Sequence, residues 1–107
     1  MLKEVINALK NAGYKVLDDR VDEPLPGTVK VALKGITRRP LGIGRRIVGY
    51  TFLCYTKAYT PYDVEQLVAD INKVLDEHFE SSIAFEATVN NTEAVITFEV
   101  TQEESVV

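Results

Sequence analysis

The stretch VKVALKGITRRPLGIGRRIVGYTFLCYT, Val29–Thr56, decides how this chain folds. Its first residues alternate between apolar and more polar or smaller side chains, and Ile47–Tyr55 is rich in β-branched and aromatic residues, so we predict a strand at each end. Between them, Gly35–Arg46 holds four arginines, three glycines and one proline. If the two strands pair, this segment is the tip of a long basic β-hairpin. We predict a mobile loop here, because ordering glycines costs entropy that few apolar side chains offset.

Length and composition favour one globular domain spanning residues 1–107. The chain of 107 residues is too short for two useful cores, and 46% hydrophobic with 26% charged residues is ordinary for a globular protein. Cys54 is the only cysteine, so no internal disulfide is possible, which fits a reducing compartment. No apolar run approaches the roughly 20 residues of a membrane-spanning helix, and Met1–Glu4 does not begin a signal peptide. We expect a soluble intracellular protein.

Two amphipathic helices are predicted, one on each side of the hairpin. The first opens the chain and stops at Gly13, a residue typical of helix C-termini. The second begins at Thr60–Asp63, where threonine is a capping residue, proline suits the first helical position and the acid meets the helix dipole. It should end near His78. The apolar residues at helical spacing are Leu2, Val5, Ile6, Leu9, Val64, Leu67, Val68, Ile71, Leu75 and Phe79.

Other segments have the patterns of strands and turns. Tyr14–Val21 is predicted as a strand that ends at the acidic, proline-rich turn Asp22–Gly27. After the second helix, apolar residues alternate over Ile83–Val89 and again over Ala94–Val100, which predicts a terminal hairpin. The tail Gln102–Val107 has no pattern, and we expect it to fray.

The resulting order, α-β-β-β-α-β-β, predicts the α+β class. The sheet should be antiparallel, or mixed, with both helices packed on one of its faces. Helix faces of this width need an apolar partner. The predicted core pairs the helix residues Val5, Ile6, Leu9, Val64, Leu67, Val68, Ile71 and Leu75 with the sheet residues Val31, Phe52, Phe85 and Phe98.

Charge is divided unevenly along the chain. Residues 1–23 carry four basic and five acidic side chains, residues 24–62 carry seven basic and no acidic ones, and residues 63–107 carry one basic and eleven acidic ones. The formal net charge of −4 therefore conceals a basic middle and an acidic end. Such asymmetry is typical of a chain with a charged partner, or of complementary patches on copies of one molecule.

The sequence offers little material for chemistry, and we predict no catalytic residues, no cofactor-binding residues and no metal ligands. His78 is a lone histidine near a helix end, where solvent exposure is the simpler expectation. Cys54 lies in a strand between apolar residues, as a buried small hydrophobe does, rather than as a nucleophile paired with His78. Gly42–Gly44 lacks the third glycine and the helix of a dinucleotide site. The acidic pairs at 18–19 and 22–23 could gather a hard cation, but we favour solvated turn residues.

Six basic residues in and around the loop are the candidate interface: Lys30, Lys34, Arg38, Arg39, Arg45 and Arg46. They could contact nucleic-acid phosphates, dock on an acidic protein surface that includes the acidic half of a neighbouring copy, or lie solvated at a hairpin tip. We favour docking, because the eleven acids after residue 62 would oppose nucleic acid at long range.

Three stretches carry a resemblance to a known family: LKEVINALKNAG (2–13), RIVGYTFLCYTKAYTPYDVEQLVADINKVLDEHF (46–79) and EATVNNTEAVITFEVT (86–101). In its helices, sheet and terminal hairpin the chain resembles the tail terminator proteins of long-tailed bacteriophages, also called tail completion or head-tail joining proteins. The resemblance covers nearly the whole chain and lies in the pattern of apolar residues and element lengths.

The resemblance implies a structural virion protein, not an enzyme, that needs no cofactor. Such proteins form rings, typically hexameric, that cap the tail tube and join it to the head connector, with DNA passing through the lumen. The implied location is the tail or neck of the virion, after assembly in the host cytoplasm, without a membrane partner. Two alternatives remain: a nucleic-acid-binding module that uses the arginine-rich hairpin, and a ferredoxin-like ligand-binding or regulatory module.

Overall fold

The computed structural model describes residues 1–17, 25–79 and 83–105, which form one five-stranded sheet and two helices. The α+β class and the order α-β-β-β-α-β-β are confirmed. The elements are α1 (Leu2–Asn11), β1 (Lys15–Leu17), β2 (Thr28–Gly42), β3 (Arg45–Lys57), α2 (Val64–Phe79), β4 (Ile83–Asn90) and β5 (Glu93–Ser105).

The sheet is mixed, with the spatial order β1-β2-β3-β5-β4. Three of its four strand pairs are antiparallel, and β1 alone runs parallel to its neighbour, β2. The strand predicted over Tyr14–Val21 is thus observed as the short β1, whereas residues 18–21 and the first half of the predicted acidic turn, residues 22–24, lie outside the described residues.

Both helices pack on one face of the sheet. Cross-strand register places Val31, Cys54 and Ile96 in one row on that face, and Phe85, Phe52 and Phe98 in contact on the same side. Phe52 and Phe98 stack with their ring centroids 5.2 Å apart. The main core consists of Val5, Leu9, Val29, Val31, Phe52, Cys54, Ile71, Leu75, Ile96, Phe98 and Val100.

The predicted core is largely observed, with two differences. Ile6, Leu67, Val68 and Phe85 lie at its margin and are partly buried. Val64 is buried in a separate small cluster with Ala58 and Ala94, because it stands at the first turn of α2, beyond the centre of the sheet.

Backbone conformation and local hydrogen bonds define the end of α1 and the start of α2. Gly13 ends α1 with a positive φ of 99°, and its N–H donates to the carbonyl of Lys10 at 3.0 Å. Before α2, the Thr60 hydroxyl donates to the Asp63 carboxylate at 2.8 Å, and the Asp63 N–H donates to the Thr60 carbonyl at 3.2 Å. Residues 61–63 therefore form a turn, and α2 starts at Val64, not at the proline as predicted.

The predicted loop over Gly35–Arg46 is wrong as secondary structure. β2 continues to Gly42 and β3 starts at Arg45, so only residues 43 and 44 make the turn. Backbone pairing accounts for this, because the register of β2 with β3 runs on through Arg38, Arg39 and Pro40, with one irregularity before and one after this run. Gly44 closes the hairpin with a φ of 72°, a conformation that favours glycine.

The expectation that the tail from Gln102 frays is corrected in the same way. β5 continues through Ser105, and its residues 101–105 pair with 45–49 of β3. Residues 106 and 107 lie outside the described part of the chain. The sheet therefore has a long three-stranded end, made of residues 35–42, 45–50 and 100–105, which we call the arm.

Candidate assembly interface

The β2 part of the arm is exposed along most of its length. Every residue of β2 from Ile36 to Gly42 is exposed, and so is Ile43 in the turn. The chain is elongated, with principal extents of 51 × 26 × 24 Å. An open cleft of about 450 Å³ at the arm tip is lined by Arg38, Arg39, Pro40, Gly42, Gly44, Arg45 and Arg46. The four predicted interface arginines are thus brought together at one end of the molecule.

The arginines are nevertheless divided between the two faces of the arm. Arg38 stands opposite Val48, and Arg46 opposite Pro40 and Glu104, all on the face that carries the helices farther along the sheet. Arg39 stands opposite Ile47 on the other face. Alternation along β3 places Arg45 on that same face. The arm therefore presents two arginines on each side.

Each face also contains a glutamate from the end of β5. Arg45 donates a hydrogen bond to Glu103, and the two form an exposed ion pair. Arg46 Nη2 donates to Glu104 Oε1 at 2.6 Å, with both side chains partly exposed. The Nε of Arg46 is buried, and no described residue accepts a hydrogen bond from it.

Electrostatics in the arm follow from this second pair. The Arg46 guanidinium, which donates a hydrogen bond to Glu104, lowers the pKa of that carboxyl below its usual value, and the charge of Arg38 adds to the effect. In return, the hydrogen bond to Glu104 raises the pKa of Arg46. Arg38 thus lies close enough to Glu104 to act on it through space, although the two do not form an ion pair.

These ion pairs are the part of the site that sequence reasoning missed. The sequence predicts that the arginines dock on an acidic protein surface, including that of a neighbouring copy, whereas Glu103 and Glu104 of the same chain pair with two of them. A signal was present, since Arg45-Arg46 and Glu103-Glu104 are dipeptides of opposite charge near the ends of two predicted strands. The prediction that residues 102–107 fray conceals this signal, because a frayed tail would not bring Glu103-Glu104 beside Arg45-Arg46.

The other predicted interface residues lie along β2. Lys30 places its Nζ 5.6 Å from the centroid of the Tyr55 ring, on the face without helices. Lys34 is exposed beside the irregularity between Leu33 and Gly35. Within residues 1–17, 25–79 and 83–105, neither Arg38 nor Arg39 has a carboxylate at salt-bridge distance. Unpaired positive charge therefore follows β2.

Charge is segregated across the sheet as well as along the chain. The strands on one side, β1, β2 and β3, carry eight basic residues and no acidic ones. The strands on the other side, β5 and β4, carry five acidic residues and no basic ones. Because the spatial order is β1-β2-β3-β5-β4, one edge of the sheet is basic and the opposite edge is acidic.

The residues considered for chemistry take the simpler roles. Cys54 is fully buried in the core, and burial raises the pKa of its thiol to about 12, which makes it a poor nucleophile. His78 is exposed in the last turn of α2. Gly42–Gly44 belongs to the hairpin turn, not to a strand-to-helix turn. The acidic pairs at 18–19 and 22–23 lie outside the described residues.

Neither metal-binding clusters nor membrane-spanning helices are found in the described structure. Over residues 1–17, 25–79 and 83–105, no three His, Cys, Asp or Glu side chains are grouped as metal ligands would be. In the same part of the chain, neither helix is long and apolar enough to cross a bilayer.

Comparison of the chain with protein-family models and with curated protein sequences finds no match. The tail terminator identity therefore stays a prediction that rests on the pattern and lengths of the elements.

Proposed function

We propose that this protein is a structural ring-forming subunit of the tail terminator type, which caps a phage tail tube and joins it to the head connector. The observation that carries the proposal is the charge segregation across the sheet, basic over β1–β3 and acidic over β5 and β4. No catalytic step or cofactor is part of this role.

Opposite charge at opposite edges suits a closed ring. In a ring, every subunit contacts its two neighbours through two different surfaces, and those surfaces must complement each other. A basic edge meeting an acidic edge supplies that complementarity, and it disfavours contacts between like edges. A two-fold dimer, in contrast, would bring one edge against itself.

The proposal is tested by electron microscopy of the purified protein, alone and mixed with tail tubes of the phage that encodes it. We expect closed rings with a central opening, and tube ends that carry one such ring. A matched control is the variant Lys73→Glu, which replaces the only lysine of α2 and leaves both sheet edges intact. It should form the same rings. Protein that stays monomeric at all concentrations and leaves tube ends bare would refute the proposal.

A nucleic-acid-binding module is the second candidate, favoured by the unpaired Arg38 and Arg39 beside the tip cleft. Phosphate contacts by these arginines would make duplex DNA binding fall steeply as salt rises. On this candidate, Arg38→Gln with Arg39→Gln should reduce DNA binding and flatten its dependence on salt. Tight DNA binding by a monomer at physiological ionic strength would favour this candidate over the ring.

A further inference from the structure

Besides the outer edge of the three-residue β1, two longer strand edges of the sheet have no partner among the described residues. β4 is the last strand on its side, and its outer edge is open along Ile83–Asn90. On the other side, β1 pairs with β2 only at Thr28–Lys30, so no residue of the described ranges pairs with the outer edge of β2 from Val31 to Gly42. Open edges present backbone N–H and C=O groups that can bond to another strand.

The two edges differ in the features that discourage pairing with a strand of another molecule. β2 has irregularities between Leu33 and Gly35 and between Pro40 and Gly42, which leave one regular run over 35–40. Exposed arginines lie in this run, and such charge discourages pairing between two copies of the same strand. β4 has neither an irregularity in its register with β5 nor a proline, and Glu86 is its only charged residue. β4 is therefore the less protected edge.

Strand direction makes the two edges compatible. β2 is antiparallel to β3, β3 to β5, and β5 to β4, so β2 and β4 of one chain run in opposite directions. When a second copy is placed beside the first with its sheet facing the same way, its β4 therefore runs antiparallel to β2. The helices of both copies then lie on the same side of a continuous sheet.

We propose that residues 35–40 of β2 pair antiparallel with β4 of a neighbouring copy, so that the sheet continues from subunit to subunit. The occupant is a second copy because charge and direction both match: the β2 run contains Arg38 and Arg39, and the facing edge contains Glu86, with the acidic β5 behind it. β1 already pairs with β2 at Thr28–Lys30, so β4 of the neighbouring copy can pair only farther along β2. The two copies are therefore offset along the strand direction. The inference rests on the proposed ring and specifies its contact.

Site-directed cross-linking tests the contact. Thr37 and Thr88 are exposed, and both lie on the face of the sheet without helices, Thr37 opposite Gly49 and Thr88 opposite Val95. The variants Thr37→Cys and Thr88→Cys are purified separately, mixed, and treated with a short flexible bis-maleimide that tolerates a shift of register. Buried Cys54 stays in place, and unsubstituted protein treated in the same way controls for it.

We expect a covalent dimer from the mixture and only monomer from either variant alone. Since each variant holds one accessible thiol, a dimer from the mixture joins β2 of one copy to β4 of another. A mixture of Thr37→Cys with Glu65→Cys, which places the second thiol on α2, should stay monomeric. A dimer from Thr88→Cys alone would show pairing of β4 with β4 and would overturn the proposal.

The outcomes also separate this contact from the proposed function. Rings that cap tail tubes without any covalent dimer in the mixture would overturn the edge pairing and leave the function standing. A covalent dimer from protein that never binds tail tubes would support the edge pairing and refute the function. Absence of self-association by sedimentation would refute both.

Discussion

At the scale of single residues, Ile71 and Leu67 lie on the same face of α2 but should contribute differently to stability because they differ in burial. Ile71 is completely buried in the core, whereas Leu67 lies at its margin and is partly exposed. We expect Ile71→Ala to lower the free energy of unfolding by about 2–5 kcal/mol, the usual range when a cavity opens in a packed core. Leu67→Ala should cost less.

Urea denaturation monitored by circular dichroism measures both effects. Val89→Ala is the control, because Val89 is 50% exposed and its truncation leaves no cavity. Equal midpoints for Ile71→Ala and the unsubstituted protein would show that the inward face of α2 is assigned incorrectly.

Cys54 provides a chemical measure of the same core. Burial raises the pKa of its thiol from 9.0 to about 12, so the folded chain keeps the proton where the unfolded chain loses it. Stability linked to this group is therefore complete below pH 9 and falls as the pH rises from 9 towards 12. At pH 8 we expect Cys54 to react with iodoacetamide only in unfolding concentrations of urea. Rapid alkylation of the native protein would contradict its burial.

At the scale of elements, the arm shows what sequence could and could not predict. Alternation of apolar residues predicted β5, and helical spacing of apolar residues predicted the face of α2, because burial of one side imposes a period on the sequence. The β-branched and aromatic composition of Ile47–Tyr55 predicted most of β3. The exposed end of β2 has no buried side, so no period marks Ile36–Gly42 as a strand. Backbone pairing with β3 maintains it instead, and composition alone cannot reveal that pairing.

Gly49 is a second feature that only the fold explains. In the sequence it interrupts a β-branched strand without apparent reason. In the structure, a Cβ at this position would lie 2.8 Å from Thr37 Oγ1 and 3.3 Å from Glu99 Oε1. Side chains of both neighbouring strands, Thr37 from β2 and Glu99 from β5, lie over Gly49 and occupy the space that a larger residue would need. The glycine therefore permits close packing and does not mark a weak point of β3.

The end of β5 should respond to pH through Glu104. The pKa of Glu104 is lower in the folded state than its unfolded value of about 4.5, chiefly because of the hydrogen bond from Arg46. The stabilisation that this carboxylate gives the arm is therefore complete above the unfolded pKa. It is lost as the pH falls through the pKa of the folded state. We expect the protection factors of the amides of residues 101–105, measured by hydrogen–deuterium exchange and corrected for the intrinsic rate at each pH, to fall on acidification. The variant Glu104→Gln should show low protection factors at both pH values. Protection factors that are equally high in both proteins at both pH values would contradict the role of this ion pair.

Mobility of Gly35–Arg46 in the isolated subunit stays a prediction, and we expect this segment to become ordered when the protein assembles. The outer edge of β2 shows which amides should become protected. Amides of residues 35–40 that point away from β3 have no described partner in the single chain and can bond only to another strand. Hydrogen exchange of residues 35–40 should slow when the protein assembles, while exchange of β3 changes little. Equal protection of 35–40 before and after assembly would count against both ordering and edge pairing.

At the scale of the whole molecule, the sheet has a basic side and an acidic side. The split along the chain becomes a split in space because β2 and β3 are formed by the basic middle, whereas β4 and β5 come from the acidic end. At the arm the two sides meet, and Glu103 and Glu104 pair with Arg45 and Arg46 there. The charge available to a neighbouring copy is therefore that of the outer edges.

This arrangement changes which arginines test assembly. Replacement of Arg45 or Arg46 by glutamate would disrupt the ion pairs of the arm, so loss of assembly would have two explanations. Arg38 and Arg39 lie on the open edge and have no such pairs among the described residues. Their reversal should weaken association through repulsion between copies while the arm stays folded.

The central claim, that opposite edges of two copies associate, is tested most directly by sedimentation velocity of two charge-reversed variants. One carries Arg38→Glu with Arg39→Glu on β2, and the other carries Glu86→Lys with Thr88→Lys on β4. Each alone brings like charges together at every contact, so each should sediment as a monomer with an unchanged urea midpoint. An equal mixture restores opposite charges at every contact of an alternating ring and should sediment like the unsubstituted assembly. Assembly of either variant alone at the size of the unsubstituted protein, or a mixture that stays monomeric, would contradict the claim.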